Sequence, residues 1–267
     1  MNYWTQSPKN IYVAGHRGWV NKYPDNTIPG FRAAIELGVD QIEFDVRATK
    51  DGELIIMHDE AVDRTTNGTG LACEKTLAEI KELDAGIYMG EQFRGTQVPT
   101  FLELMDLVKD HPTLTLDVEL KEAPLPGREE LAYSVCDRVL KIIDDYGYAD
   151  RVVINCFSGK MHKYIHDKYG SKYRQHVYFP IKHLGECPDD PYAYAYCCCM
   201  VPTEPGLAVT AQEDCDAMLE RGVQIWGGAW ATDEAGVDEA IRKGVYLITA
   251  NNPDEVLALL RAKGYHK

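Results

Sequence analysis

No CxxC pair, no Gly/Ser/Pro-rich linker, no apolar run of membrane-spanning length and no surplus of positive charge occur in this 267-residue sequence. Each absence removes a class of protein. Without paired spacings, the eight cysteines indicate neither a disulfide framework nor a zinc site. Without a linker, the chain reads as one large domain over 1–267 rather than two ordinary ones. No stretch reaches the length that crosses a bilayer, which argues against stable membrane insertion. Met1–Asn10 has neither the basic start nor the apolar run of a signal peptide, so a reduced, cytoplasmic setting fits best. The 28 Lys and Arg against 42 Asp and Glu leave a net charge of -14, which speaks against nucleic acid or an anionic membrane as the main partner. An anionic substrate must then be attracted locally, by a metal or by placed cations.

What is present is enough apolar matter, 45% of residues, to bury a large core. Periodicity predicts strands near Ile11–Ala14, Gln41–Val46, Leu114–Glu119, Val152–Cys156, His176–Phe179, Ala195–Cys199, Val223–Trp226 and Val245–Thr249. Amphipathic helices fall between several of them, over Ile28–Leu37, Glu129–Asp144, Gly159–Lys168, Gln212–Arg221, Asp233–Lys243 and Pro253–Ala262. Gly38, Gly222, Gly244 and Gly264 follow four of these, where left-handed caps belong. The pattern predicts a TIM (β/α)₈ barrel, with a doubly wound open sheet as the second reading. An extra apolar run at Leu54–Met57 and a long excursion to Thr100, holding a helix at Leu77–Leu83, form an insertion over about 54–100 between the second and third barrel strands. It is expected to be a small cap.

Glu43 and Asp45 are two apart on one strand, so both point to one face and Phe44 to the other. In a barrel the acids point inward, where they repel unless a cation or proton neutralises them. Asp117 and Glu119 repeat the spacing on the third strand, with Lys121 next on that face. Carboxylates without thiolates favour one hard divalent cation, Mg²⁺ or Ca²⁺, over zinc. His16 follows Gly15 at a strand end and His58 follows Leu54–Met57, two imidazoles suited to general acid–base work. Arg17 offers a planar fork to phosphate, with Gly15 and Gly18 allowing close backbone approach.

The ordered series His16-Arg17-Gly18, Pro24-Asp25-Asn26-Thr27, Glu43-Phe44-Asp45-Val46, Thr49-Lys50-Asp51-Gly52-Glu53, His58-Asp59, Asp63-Arg64-Thr65-Thr66, Val98-Pro99-Thr100, Glu119-Leu120-Lys121 and Cys156-Phe157-Ser158 resembles the glycerophosphodiester phosphodiesterase family. The resemblance implies a TIM-barrel phosphoric diester hydrolase that uses a divalent cation to split small glycerophosphodiesters into sn-glycerol 3-phosphate and an alcohol. By the same resemblance Glu43, Asp45 and Glu119 are the metal ligands, and His16 and His58 the acid–base pair; the order, favoured as His16 base and His58 acid, stays open in the sequence. Arg17 and Lys121 are the phosphate contacts. The attacking hydroxyl is water or the substrate's own glycerol hydroxyl.

The last hundred or so residues match less densely. Trp230 is the expected aromatic beside the glycerol and Trp226 its rival, more readily a core residue. Asn251 stands where the family often has an aspartate, a change expected to affect the rim only. The loop from Ile181 to Tyr192 reads as a plain connection more readily than as a substrate contact. Cys197–Cys199 reads as packing, and Tyr192, Tyr194 and Tyr196 as one face of a strand. Two other functional classes compete: a phospholipase D-like or phosphatidylinositol-specific phospholipase-like enzyme on lipids, which needs an apolar, basic rim, and a non-catalytic barrel that has lost a histidine or ligand. Oligomeric state and the released alcohol stay open.

Overall fold

A computed structural model describes residues 2–267; Met1, which the readings of the N-terminus and of the domain span include, lies outside the described residues. Nine strands form one sheet: β1 (Tyr12–His16), β2 (Gln41–Ala48), β3 (Leu54–Ile56), β4 (Thr115–Leu120), β5 (Val152–Asn155), β6 (Arg174–Phe179), β7 (Cys197–Met200), β8 (Gln224–Gly227) and β9 (Leu247–Ala250). β1 pairs in parallel with both β2 and β9, so the sheet closes on itself. β3 alone is antiparallel, folded back on the end of β2. The other eight strands make a closed parallel TIM barrel, which disposes of the open doubly wound sheet.

Helices α1 (Ile28–Leu37), α2 (Leu77–Lys81), α3 (Phe101–Val108), α4 (Glu129–Asp145), α5 (Gly159–Tyr169), α6 (Gln212–Glu220), α7 (Glu234–Lys243) and α8 (Pro253–Lys263) complete the chain. Of these, α3 has no counterpart among the helices expected from sequence. It starts in a capping box, with Thr100 and Glu103 bonding each other's backbone N–H, and buries Phe101, Leu104, Met105 and Val108. Glycines close α1, α7 and α8 as expected: Gly38, Gly244 and Gly264 hold φ of 92°, 78° and 79°.

Alternation along β2 divides its side chains between two environments. Ile42, Phe44 and Val46 join the core between barrel and helices, where the Phe44 ring meets Phe31 at 6.2 Å and Phe101 at 5.8 Å. Glu43 and Asp45 therefore face the barrel axis. At the opposite, N-terminal end, the interior is filled by Ala14, Val153, Cys197, Trp226 and Leu247, with Trp4 packed against them. Trp4 Nε1 donates to the Asp150 carbonyl at 2.7 Å, and Gln6 Nε2 to Gln224 Oε1 at 3.0 Å, so these polar atoms of the plug are paired.

Residues 54–100 carry an apolar cluster of their own, Ile55, Met57, Val62, Ala72, Ile80, Ala85 and Val98. The expected tyrosine strand face does not form. β7 begins only at Cys197, because Asp190–Pro191 starts a 3₁₀ turn in which the Asp190 carboxylate accepts from the Tyr192 N–H. Tyr192 donates to the Tyr178 carbonyl, Tyr194 stacks on His166 at 4.2 Å, and Tyr196 pairs with Gln224. Cys197, Cys198 and Cys199 are free and buried, acting as small apolar side chains.

Packing and pairing each lead to a measurable expectation. Trp226 is 0% exposed and Trp230 40% exposed. In urea unfolding, Trp226→Ala should cost about 3–5 kcal/mol and Trp230→Ala no more than about 0.5 kcal/mol. His266 Nε2 lies 2.9 Å from Asp40 Oδ2, and this bond raises the imidazole pKa above its ordinary 6.5. A folded pKa above the unfolded one gives stability that is full below pH 6.5 and is lost as pH rises through the folded value. The gap in unfolding midpoint between the native chain and His266→Ala should accordingly be widest below pH 6.5 and shrink at higher pH.

Candidate active site at the C-terminal mouth of the barrel

The parallel register of β2 and β4 aligns Glu43 with Asp117 and Asp45 with Glu119. One carboxylate oxygen each from Glu43, Asp45 and Glu119 lie within 4.8 Å of one another, all three residues buried. Burial and then the neighbouring Asp45 charge push Glu43 well above the usual carboxylate range, and the same two causes raise Glu119 to about 7. Burial also acts on Asp45, but the Lys121 and Arg17 charges outweigh it and hold its pKa down. Lys121 is turned towards these acids: Nζ is bonded to Glu119 Oε1 and lies 2.9 Å from Asp45 Oδ1. Lys121 is thus a cation set directly between two of the three acids. Three converging hard oxygen donors with excess negative charge fit a hard divalent cation.

The turn after β1 supplies the positive edge. Arg17 adopts φ 54°, unusual for a side-chain-bearing residue, and Gly18 φ 92°. A Cβ on Gly15 would lie 2.7 Å from the Gly18 carbonyl oxygen, so the turn needs glycine there. The strained turn aims the Arg17 N–H at Glu43 Oε2, 2.9 Å away, and sets Arg17 Nε 3.5 Å from Asp45 Oδ2. Asn26, also left-handed at φ 56°, donates to Asp45 Oδ2 at 2.7 Å.

The two imidazoles have different partners. His16 Nδ1 lies 2.6 Å from Asn251 Oδ1 and its Nε2 3.9 Å from Glu43 Oε2. Burial, then the Arg17 charge, lowers His16 to about 4. His58 Nδ1 lies 2.7 Å from Asp59 Oδ1; burial lowers its pKa too, while Asp45 and Asp59 pull upward. Asn251, expected from sequence to shape only the rim, does more: it is the side chain bonded to the His16 ring. Closure of the barrel brings β9 beside β1, an adjacency that no local pattern discloses.

Around these groups lies a cavity of about 360 Å³. His16, Arg17, Glu43, His58 and Glu119 line it together with Phe157, Tyr178, His183, Val201, Ala229 and Trp230. Asp45 and Lys121 lie beneath, outside the lining. Trp230 stands at the mouth and Trp226 in the core below, the division expected of the two. The Ile181–Tyr192 loop reaches the cavity through His183, so it is more than a plain connection. Phe157 stacks on Tyr178 at 3.9 Å, and at the floor His176 Nδ1 meets Asp117 Oδ2 at 2.7 Å. Asn155, His176 and Tyr178 are site residues that sequence reasoning missed, although each occupies an inward alternate position on its strand.

The sequence from residue 16 to 261 matches the model of the glycerophosphoryl diester phosphodiesterase family. A glycerophosphodiester phosphodiesterase of Caldanaerobacter subterraneus subsp. tengcongensis is 35% identical over 256 residues, covering 94% of this chain and 98% of that protein. The human glycerophosphodiester phosphodiesterase 1 is 34% identical over 113 residues, 42% of this chain and 34% of that one. Among solved structures, a glycerophosphodiester phosphodiesterase from Agrobacterium tumefaciens matches with TM-score 0.74 at 24% identity, over 93% of this chain and 99% of that one. An Oleispira antarctica phosphodiesterase in complex with the product sn-glycerol-3-phosphate matches with TM-score 0.79 at 20% identity, over 94% and 97%. Fold, ordered motifs and a full-length relative agree, and the chain belongs to the glycerophosphoryl diester phosphodiesterase family, a family of phosphoric diester hydrolases.

Proposed function

We propose that this chain hydrolyses small glycerophosphodiesters to sn-glycerol 3-phosphate and an alcohol, with one divalent cation, Mg²⁺ or Ca²⁺, held by Glu43, Asp45 and Glu119. The observation that carries the reading is the meeting of two imidazoles with unlike partners, Arg17, Glu43 and Glu119 on one cavity, with buried Asp45 completing the carboxylate cluster behind the lining. The full-length relative named for this activity supports it. When bound, the cation supplies Lewis-acid stabilisation of charge on the phosphoryl oxygens.

The chain's own residues do the rest. Arg17 presents its guanidinium to a phosphate oxygen beside the acids, and Lys121, set between Asp45 and Glu119, adds a second positive charge under the same oxygens. His16 takes the proton from the attacking hydroxyl, water or the substrate's own glycerol hydroxyl. Its low pKa keeps the ring neutral and able to accept. His58, whose Nδ1 is held by Asp59 Oδ1, gives a proton to the leaving alkoxide from the face that lines the cavity. Trp230 packs against the glycerol at the mouth.

Segment 54–100 acts as a cap on a single domain over 1–267, and eight free thiols agree with a reducing, cytoplasmic setting. Among the described residues no helix is long and apolar enough to cross a membrane. A cavity of about 360 Å³ suits a small diester better than a diacyl lipid, which places phospholipase-like activity second.

Glycerophosphocholine turnover, read as glycerol 3-phosphate in a coupled assay, tests the scheme. Chelation should abolish it and added Mg²⁺ or Ca²⁺ restore it. His58→Ala should lower kcat by about 10²–10⁴-fold. Near-normal turnover in either case overturns the proposal. Asn251→Ala, removing the bond to His16, should lower kcat while leaving the unfolding midpoint nearly unchanged.

A further inference from the structure

We propose that Asp59, Arg64, Asp25 and Tyr88 form a positioning relay that fixes the His58 ring with Nδ1 bonded to Asp59 and Nε2 left for the cavity, and that makes this geometry conditional on segment 54–100 being docked. The proposal rests on the reading of His58 as a proton donor. Arg47 holds the His58 carbonyl from β2 with two bonds, Nε at 3.0 Å and Nη2 at 2.7 Å, so the backbone is anchored and only ring rotation remains to be set. Asp59 Oδ1 takes Nδ1 at 2.7 Å. Among the described residues no hydrogen bond engages Nε2, and His58 lines the cavity.

A partly exposed aspartate is a weak clamp alone, since one hydrogen bond leaves its carboxylate free to swing. Here its other oxygen is taken by Arg64 Nε. The same guanidinium reaches Asp25 Oδ2 with Nη2 at 3.1 Å. Two nitrogens of one rigid plane thus tie together two carboxylates, which a lysine point charge does not reproduce. Asp25 is buried and lies in the β1–α1 loop, the segment that also carries Arg17, whose Nη1 is 3.7 Å away. The Asp25 N–H donates to the Tyr88 hydroxyl at 2.9 Å, and that hydroxyl donates back to Asp25 Oδ1.

Arg64 and Tyr88 belong to the part of segment 54–100 beyond Asp59, and both meet the rest of the chain at Asp25, whereas His58 is tied to β2 through Arg47. The network therefore runs from Tyr88 through Asp25 and Arg64 to Asp59 and the imidazole. If the part of the segment beyond Asp59 lifts, Arg64 and Tyr88 leave Asp25 together, and the Arg64–Asp59 pair loses its anchor on the β1–α1 loop. Asp59, Arg64 and Tyr88 are positioning residues, acting through His58.

The test measures kcat and KM on glycerophosphocholine with the cation present, the unfolding midpoint, and the His58 tautomer by ¹⁵N NMR of the imidazole. Arg64→Ala and Arg64→Lys should each lower kcat by about 10–100-fold with KM within about threefold. Tyr88→Phe, which removes one oxygen from a partly exposed ring, should lower kcat several-fold at an unchanged midpoint. In its neutral form the His58 ring of the native protein should hold one tautomer, protonated at Nδ1, so that the proton it donates is the one gained at Nε2 in the imidazolium; the Arg64 variants should show a mixture of neutral tautomers. A single unchanged tautomer, or kcat within twofold in both Arg64→Ala and Tyr88→Phe, overturns the relay. So does a kcat loss that merely tracks a lower midpoint. If the native protein fails to hydrolyse the diester while the tautomer still shifts in the variants, the relay stands and the functional reading falls.

Discussion

Repulsion among carboxylates that the barrel forces together governs the arrangement of the site. β2 and β4 run side by side in a register that opposes Asp45 to Glu119, so the acids meet whatever their loops do. At such separations inside a protein each uncompensated pair costs several kcal/mol. The cost is offset by positive charge brought from both flanks: Arg17 from the strained turn after β1, and Lys121 from just beyond β4. A cation fits the same logic, since it needs only the oxygens that the strands already hold close. The protein thus keeps its most unfavourable electrostatics on its most rigid element and leaves compensation to the turns.

Those turns carry local strain. Arg17 and Asn26 both adopt left-handed backbone, and both direct a hydrogen bond at an acid of β2. Conformational strain of roughly 1–3 kcal/mol per residue persists only where the surroundings overdetermine it. Here the surroundings are glycines, whose missing side chains let Gly15 pack against Gly18 and Gly18 against Gly30, backbone to backbone. The packing of α1 against the barrel and the pointing of Arg17 are in this way one event.

Much of this was legible in the sequence, for identifiable reasons. A period of two at a strand end places Glu43 and Asp45 on one face without knowledge of any partner, and a glycine after an amphipathic stretch marks a helix end such as Gly38. Relations between distant elements were not. Asn251 reaches His16 because closure sets β9 beside β1, and His176 reaches Asp117 across 59 residues of chain. α3 was announced by Thr100 and Glu103, but a long irregular segment before it masked the capping box. The tyrosines at 192, 194 and 196 have a strand's spacing, yet Asp190–Pro191 imposes turn chemistry that alternation alone does not reveal.

The separate apolar cluster of segment 54–100 has a thermodynamic consequence. Its seven buried residues are few beside the core shared by barrel and helices. Stability in a folded chain is distributed according to such burial, so units with small cores open at free energies below the global one. Segment 54–100 is thereby suited to open as a local unit while the carboxylates stay in place on β2 and β4. Its amides should exchange with solvent on a faster timescale than those of the barrel strands, and such opening leaves the charge balance of the acids undisturbed.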